Sequence, residues 1–406
     1  MGRDNLASLF IKNSSGKRGE IFSCAENDVT YFDHNATAPL HPTARQAWLE
    51  AAETFVGNPS SLHRMGARAD AALEQARARL AGMLDCQLQD IVWTSGATEA
   101  SNQVLHHFAH TLPPDAPICV SAIEHPSVVE AAEHYFGNQV RRIPVNCAGV
   151  VDLDWLAEEL AQQRPGFVAV MAANNVTGVI QPWEQVAQLC RGAEVPYFCD
   201  AVQWLGKETP RGLGDCDFVS GCAHKVGGPR GIGFLKCRAK GGFKPLLFGG
   251  PQEESRRAGT ENVAGALALV TTMEARHSLL SEREARMQMR DRFIQSLTAE
   301  LPGVEIIGVS QRRLWNTVAA MLPEVDCRQR WAVKLDKLGV VVSTGSACSS
   351  GKEEPSPVLL AMGYTPGQAG RVLRFSSGWE TVEKDWETLL IAIQQAAQNF
   401  QASASV

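Results

Sequence analysis

Lys225 and Asp200 are the two residues whose types and positions most clearly indicate chemistry. Lys225 lies between the apolar segments DFVSG and GIGFL, just before a glycine-rich turn, and Asp200 ends the apolar run VPYFCD. Burial makes a charged lysine costly and lowers its pKa toward that of a nucleophilic amine. A lysine that forms a Schiff base and an acid that pairs with a pyridinium nitrogen are what a pyridoxal phosphate (PLP) site requires. The pair predicts such a site, although a lysine at a strand end more often only reaches solvent.

A second candidate feature is the turn SGAT, which follows the predicted strand IVWT and opens a predicted helix. Gly96 allows another part of the backbone to approach closely, and the N–H groups of Ala97 and Thr98 point out of the helix N-terminus. Such a terminus binds anions and suits a phosphate group. The alternative is an ordinary strand–turn–helix connection in which Thr98 caps the helix.

Polar side chains recur where the predicted strands end. From residue 90 to residue 225 the chain repeats an apolar strand, a polar loop and a helix. This repeat is typical of an α/β protein with a mostly parallel sheet covered by helices. Ligands of such sheets bind at the carboxyl ends of the strands. Five polar residues lie at these ends: Thr98, His125, Asn175, Asp200 and Lys225.

The pattern changes after about residue 280. The predicted strands VEIIGV, LWNTVAAML and LGVVVSTG are separated by helices, as in an α+β domain. One long charged helix over 273–301 is expected to leave the large domain. We therefore predict a large domain over 41–280 and a small domain made of 29–40 and 281–406, preceded by a flexible extension over 1–28.

Cys348 differs from the other cysteines in its surroundings. It lies in the segment 343–363, whose glycines, serines and two prolines predict a flexible surface loop. An accessible thiol is a candidate nucleophile, the alternative being a thiol exposed by chance. The eleven cysteines are scattered without a CxxC motif, which indicates reduced thiols. Most of them, such as Cys199 and Cys216, are expected to fill the core.

Two arginine-bearing segments add candidate anion contacts. RVLRFSSG is a predicted strand with Arg371 and Arg374, and an inward arginine there could pair with a substrate carboxylate through two hydrogen bonds. Arg256, Arg257 and Thr260 form a basic loop before a helix, which is a second candidate phosphate contact. Because this loop lies outside the strand–helix repeat, it could serve a neighbouring subunit.

Composition and missing motifs exclude several classes of function. The 406 residues are 45% hydrophobic and 20% charged with a net charge of −6, whereas a nucleic-acid or anionic-membrane surface would be basic. No apolar run approaches the roughly 20 residues of a membrane span, and no signal-peptide core is present, so a cytoplasmic location is predicted. GxGxxG, Walker A and GxSxG motifs are absent. No metal site is predicted, because His106, His107 and His110 have no third type of ligand nearby.

Motifs along the chain resemble those of one enzyme family. In order they are TSGATEAS, EHPSV, NNVTGVIQP, DAVQ, AHK with GPRGIG, RAGTEN, GSACSS and RFSSG. They resemble the group I cysteine desulfurases of the NifS/IscS type, which are class V aminotransferase-like PLP enzymes of fold type I. The resemblance runs from about Tyr31 to the last helix. It implies a homodimer that converts L-cysteine to L-alanine, holds the sulfur as a persulfide and passes it to an acceptor protein such as an iron–sulfur scaffold.

The resemblance also implies a role for each matching residue. Lys225 would bind PLP covalently and move protons, His125 would stack on the ring, and Cys348 would attack the substrate sulfur. The implied cofactor contacts are Asp200 with the pyridine nitrogen, Gln203 and Asn175 with the ring hydroxyl, and Ala97, Thr98, Cys222, His224 and, from the other subunit, Thr260 with the phosphate. Asn175 and Arg374 would bind the substrate carboxylate.

The chain departs from the family pattern at two positions. Cys222 stands where the family usually has a serine that contacts the phosphate, and a thiol is a weaker hydrogen-bond donor than a hydroxyl. Trp379 stands where an arginine is common, and the sequence does not explain this change.

Three alternative functions remain open on the sequence alone. The same scaffold could act as a selenocysteine lyase, or as a PLP β-lyase in which Cys348 is idle. It could also be a catalytically silent subunit that binds a partner through its loop. The joint presence of Lys225, Asp200, His125 and Cys348 argues against the last of these.

Overall fold

The computed structural model describes residues 29–238, 242–324, 328–344 and 355–404. The strands are β1 (Thr30–Tyr31), β2 (Ile91–Thr94), β3 (Ile118–Ser121), β4 (Val140–Ile143), β5 (Val168–Ala169), β6 (Tyr197–Asp200), β7 (Phe218–Cys222), β8 (Gly233–Cys237), β9 (Glu305–Ile306), β10 (Thr317–Met321), β11 (Val340–Val341), β12 (Ser343–Thr344) and β13 (Val372–Ser376). The helices are α1 (Pro42–Thr54), α2 (Arg64–Leu84), α3 (Ala97–Ala109), α4 (Pro126–Phe136), α5 (Leu153–Gln162), α6 (Trp183–Gly192), α7 (Val263–Ser278), α8 (Arg283–Glu300), α9 (Arg328–Lys337), α10 (Pro357–Ala361), α11 (Pro366–Gly370) and α12 (Glu383–Ala404).

The central sheet has seven strands in the order β2-β8-β7-β6-β5-β3-β4. The strands from β7 to β4 are parallel to their neighbours. β8 runs antiparallel to both β7 and β2. The predicted α/β class with a mostly parallel sheet is therefore confirmed. Parallel neighbours place the carboxyl ends of these strands along one edge of the sheet.

Helices cover both faces of this sheet. Successive side chains of a strand point to opposite faces, so Ile91 and Trp93 enter one hydrophobic cluster and Val92 enters another. The first cluster includes Leu80 of α2 and Leu269 of α7. The second includes residues of α3 and α4. Because both faces are buried, the central strands are continuously apolar rather than alternating.

Local sequence signals account for several helix boundaries. Pro42 and Pro126 occupy first-turn positions, where a missing N–H costs nothing. Asp152 caps α5, because its side chain accepts hydrogen bonds from the N–H groups of Asp154 and Trp155. α2 ends at Leu84, and its C-cap residue Asp85 adopts a left-handed conformation with φ 57°.

The carboxyl-terminal part of the chain forms a second, antiparallel sheet in the order β12-β13-β10-β9. β1 pairs in parallel with β11, and Phe32 packs in the same cluster as Phe375, Trp331 and Trp386. The start of the described chain therefore packs against its end. The predicted domain limits remain a prediction.

Three expectations about the second half need correction. The helix predicted over 273–301 is divided into α7 and α8 by a short 3-10 helix, Leu280–Glu282. The Ser278 hydroxyl donates to the Ala275 carbonyl at the end of α7, a local bond that competes with helix continuation. Of the predicted strand VEIIGV, only Glu305–Ile306 forms β9.

The third correction concerns the segment 343–363, which was expected to be a loop. It begins with β12 and contains the short helix α10, in which Pro357 is at the first turn and Val358 and Leu359 are buried. Cys348 and the rest of 345–354 lie outside the described residues.

Candidate active site

A cavity of about 500 Å³ lies at the carboxyl edge of the central strands. The predicted residues that line it are Ala97, Thr98, His125, Asn175, Asp200, Gln203, Cys222, His224 and Lys225. Its walls also include residues that the sequence reading missed, among them Ala36, Thr37 and Arg230. Residues far apart in the sequence therefore meet because parallel strands end at one edge.

One end of the cavity is the N-terminus of α3. Gly96 is its N-cap residue, and no side chain caps the helix. Thr98 lies inside the first turn, so the alternative in which Thr98 caps the helix is wrong. β8 approaches this turn closely: a Cβ on Gly233 would lie 2.7 Å from the Cα of Gly96. The uncapped N–H groups of Ala97 and Thr98 make this end suitable for an anion.

His224 also lines the cavity. A hydrogen bond of 3.3 Å joins its Nδ1 to the Thr37 hydroxyl. Burial lowers the pKa of His224 to about 4, and the positive charges of Lys225 and Arg230 act in the same direction. The imidazole is therefore neutral near pH 7 and can act as one donor and one acceptor.

Lys225 follows β7 in the short 3-10 helix Ala223–Lys225. Its Nζ donates to the carbonyl oxygens of Asn35, at 2.6 Å, and Ala36, at 2.8 Å. These carbonyls belong to the segment just after β1, which packs with the second sheet. The amine is thus held at the cavity wall by a part of the chain almost 190 residues away.

Asp200 and His125 face the same cavity. Burial raises the pKa of Asp200, while His125, the Val202 N–H and Lys225 oppose that shift. Asp200 Oδ1 accepts a hydrogen bond of 2.9 Å from that N–H. Burial lowers the pKa of His125, whose ring also caps α4 by accepting from the Ser127 N–H. A buried acid beside an aromatic ring suits a flat heterocycle with a basic nitrogen.

A second buried carboxyl group adjoins these residues and was not predicted. Glu124 is 4% exposed, and its Oε1 accepts a hydrogen bond of 2.7 Å from the Met171 N–H. Burial, reinforced by the charge of Asp200, raises the pKa of Glu124 to about 8. The side chain is therefore largely protonated at neutral pH. Its position next to His125 in the sequence was the only available signal.

Arg374 points inward from β13, as an arginine of this strand was expected to do. It is 1% exposed, and its Nη2 lies 2.6 Å from Asp33 Oδ1. Its Nη1 donates to the Asn175 carbonyl at 2.9 Å. Nε has no hydrogen-bond partner among the residues that the structure describes. Arg374 is not among the residues that line the cavity itself.

Cys222 and Thr260 occupy contrasting environments. Cys222 lines the cavity and is 5% exposed, and burial raises the pKa of its thiol to about 11. Thr260 is exposed in the loop before α7 and does not line the cavity of this chain. Its predicted contact from a second subunit stays a prediction.

The residues of the cavity fit PLP. The uncapped end of α3 matches a phosphate, the buried Asp200 matches a pyridine nitrogen, and the Lys225 amine matches an aldehyde. Other ligand types find less support here. In the described part of the chain, no cluster of three or more metal-binding side chains occurs. None of the helices described there has the length and apolarity that crossing a membrane requires.

Comparisons with known proteins agree on one protein family. The family model for Aminotransferase class-V matches residues 30–389. A cysteine desulfurase of Klebsiella pneumoniae is 36% identical over 360 residues, which cover 87% of this chain and 89% of the relative. A cysteine desulfurase of Enterobacter agglomerans is 35% identical over 362 residues, or 88% and 90% of the two chains. A solved NifS-like protein is 30% identical with a TM-score of 0.84, covering 91% of this chain and all of the other.

Proposed function

Because the chain belongs to the class V aminotransferases and to their cysteine desulfurases, we propose that it converts L-cysteine to L-alanine and collects the sulfur on Cys348. The observation that carries this proposal is the meeting of Lys225, Asp200 and His125 in one cavity beside the uncapped end of α3. The family's cofactor is PLP, and these are the groups that PLP requires.

We assign the cofactor contacts as follows. The phosphate binds to the N–H groups of Ala97 and Thr98 and to His224, with Thr260 from a second subunit. Asp200 holds the pyridine nitrogen, and His125 covers the ring. Gln203 and Asn175 reach the ring hydroxyl, and Lys225 forms the covalent bond. Support comes from the position of all these residues except Thr260 on the cavity wall.

The substrate carboxylate binds near Arg374 and Asn175. Arg374 already contacts the Asn175 carbonyl, so the two residues lie side by side. Its Nε is a donor without a partner in the described structure, which leaves one hydrogen bond to offer. The carboxylate then shares the guanidinium with Asp33, which keeps the side chain in place.

Bound PLP supplies a sink for the electron pair left when the α-proton of the substrate is removed. The Lys225 amine takes that proton and returns a proton to the substrate. The Cys348 thiolate attacks the substrate sulfur, forming an S–S bond as the C–S bond breaks. The overall balance is L-cysteine plus one thiol to L-alanine plus one persulfide. A thiol of an acceptor protein then removes the outer sulfur.

We also propose a homodimer in the cytoplasm. Dimers are typical of the family, and the predicted role of Thr260 needs a second subunit. The side chains of Leu62 and Phe248 are large, apolar and exposed, Phe248 at 79%, which suits a surface covered in the dimer. The acceptor is expected to present a thiol, as an iron–sulfur scaffold protein does.

The test is to measure alanine and sulfide released from L-cysteine with a reducing thiol. Wild type should release equal amounts, and Cys348→Ala should release neither while it keeps its bound PLP. Cys147→Ala is the matched control, because Cys147 is an exposed thiol far along the chain from Cys348. Full activity of Cys348→Ala would remove the role of this residue. Pyruvate and ammonia in place of alanine would identify a β-lyase, and faster turnover of selenocysteine would identify a selenocysteine lyase.

A further inference from the structure

Lys207 is a buried lysine that the proposed reaction does not use. It is 5% exposed, and its Nζ donates to Oε1 of Gln203 at 2.7 Å and to the backbone carbonyl of the same residue at 3.2 Å. Burying a lysine with so little solvent contact is costly unless hydrogen bonds satisfy its donors. Both of these bonds go to one residue, and that residue lines the cavity.

The bond to Lys207 determines which way the Gln203 amide points. An amide has an oxygen that accepts and a nitrogen that donates, and lysine only donates. Oε1 must therefore face Lys207. The other atom of the amide, Nε2, donates to the Asn35 carbonyl at 3.0 Å, and this bond requires the same orientation of the amide. The Gln203 Nε2 and the Lys225 Nζ therefore donate to the same Asn35 carbonyl.

Two tryptophans hold the backbone that carries Lys207. Trp315 Nε1 donates to the Lys207 carbonyl at 3.1 Å, and Trp379 Nε1 donates to the Gly206 carbonyl at 2.7 Å. The two rings pack with centroids 4.3 Å apart. Gly206 has a φ of +73°, and a Cβ there would lie 2.7 Å from a methyl group of Val226. The turn at Gly206 is therefore held by the two tryptophan hydrogen bonds on one side and by close packing against Val226 on the other.

This arrangement accounts for the tryptophan at position 379. An arginine, which is common there in the family, could donate the same bond but would replace the apolar indole that packs on Trp315 with a charged guanidinium. It would also bring a further positive charge towards a buried lysine. Trp379 instead donates to the Gly206 carbonyl and packs on Trp315 without adding charge.

We propose that Lys207 is a positioning residue that holds Gln203 as a hydrogen-bond donor to the ring oxygen of PLP, an inference that rests on the cofactor contacts proposed above. Lys207 does not touch the cofactor in this proposal. It acts through the Gln203 amide, and the Trp315–Trp379 pair keeps it in reach.

The charges around Lys207 are consistent with this role. Burial lowers the pKa of Lys207 to about 7, and the positive charges of Lys225 and Arg374 add to this effect while Cys222 opposes it. His34 also faces this group, and its own pKa is lowered to about 4, chiefly by burial. Lys207 keeps N–H donors in both protonation states, so the bond to Gln203 persists across neutral pH.

The experiment compares the PLP-loaded wild type with Lys207→Met, Lys207→Arg, Gln203→Ala and the double variant Lys207→Met with Gln203→Ala. The readouts are the pH midpoint of the cofactor's visible absorption band and the rate of PLP loss. A donor to the ring oxygen stabilises its anionic form, so loss of that donor should raise the midpoint. We expect Lys207→Met to raise it by about one pH unit, which corresponds to one ordinary hydrogen bond.

Lys207→Arg should restore most of the wild-type midpoint, and the double variant should match Gln203→Ala alone. Lys384→Met, which changes an exposed lysine of α12, is the control and should leave the midpoint unchanged. If Lys207→Met does not fold, Lys207→Gln shows whether a shorter donor suffices. Because glutamine keeps an amide donor, Lys207→Leu, which has no N–H donor for Gln203 Oε1, is measured beside it and should raise the midpoint in the same direction.

Three results would overturn the proposal. A wild-type midpoint in a less stable Lys207→Met protein would show a purely structural role. A shift of equal size in the Gln203→Ala background would show that Lys207 acts directly through its charge. An unchanged midpoint in Gln203→Ala would refute the cofactor contact of Gln203 itself, and with it this proposal. If the same variant still released alanine from L-cysteine at the normal rate, the proposed desulfurase activity would stand.

Discussion

Arg374 and Asp33 form an ion pair that ties the second sheet to the segment entering the active site. Arg374 Nη2 lies 2.6 Å from Asp33 Oδ1, although the two residues are 341 positions apart in the chain. Asp33 also forms a parallel bridge with Ser376 on the strand that carries Arg374. The arginine expected to bind substrate is thus positioned by Asp33, a residue near the other end of the chain.

We expect Asp33→Ala to lower the free energy of unfolding by about 3 kcal/mol, because it leaves the buried Arg374 without its counter-charge. The KM for L-cysteine should rise as well, since the guanidinium is no longer held in place. Urea unfolding and steady-state kinetics measure the two effects. Glu274→Ala removes a half-exposed ion pair with Arg79 and should cost less than about 1 kcal/mol. Equal losses in both variants would contradict this account.

We expect Cys222→Ser to retain PLP modestly better than wild type. The residue lines the cavity, and a hydroxyl is a stronger donor to a phosphate than a thiol. The rate of PLP loss on dialysis measures the effect. Cys119→Ser, at a buried position of β3 away from the cavity, should affect stability without improving retention. Unchanged or faster PLP loss in Cys222→Ser would show that the thiol already serves the site.

Glu124→Gln should remove a pH dependence of stability. The pKa of Glu124 rises from its ordinary value of 4.5 to about 8 in the folded protein, chiefly through burial. Between these values the unfolded chain releases a proton that the folded chain keeps, so rising pH lowers the stability of wild type. The variant should be of similar stability near pH 5 and more stable by a few kcal/mol near pH 8.

Urea unfolding of both proteins at pH 5, 6.5 and 8 tests this prediction. Glu130→Gln, on the exposed side of α4, should follow wild type at each pH. A constant difference between Glu124→Gln and wild type over this range would mean that Glu124 is ionised in the folded protein.

Trp379→Phe should lower the free energy of unfolding by about 1 kcal/mol, because it keeps most of the ring packing and loses the bond to the Gly206 carbonyl. Trp379→Arg should cost more, since it adds a charge near buried Lys207 and removes the contact with Trp315. Thermal or urea unfolding gives both values, with Trp48→Phe at an exposed position of α1 as the control. A Trp379→Arg protein as stable as wild type would refute this explanation of the tryptophan.

The local sequence determined the frame of the site. Apolar runs of four or five residues are strands because both faces of the sheet are covered, and their order with helices makes the sheet mostly parallel. The carboxyl ends of parallel strands meet at one edge, so Lys225, Asp200 and His125 could be predicted to lie together. In the structure all three line the same cavity. The predicted domain limits and the dimer remain predictions.

Only the tertiary structure decided what holds these residues in place. Asn35 receives hydrogen bonds from Lys225 and Gln203, and Asp33 holds Arg374, but nothing in the spacing of these residues predicts such contacts. Lys207 reads in the sequence as an ordinary lysine near a turn, and its backbone carbonyl is held by Trp315, more than 100 residues later. Periodicity and capping report on neighbours within a few residues, whereas these bonds join distant segments that meet only when both sheets pack together.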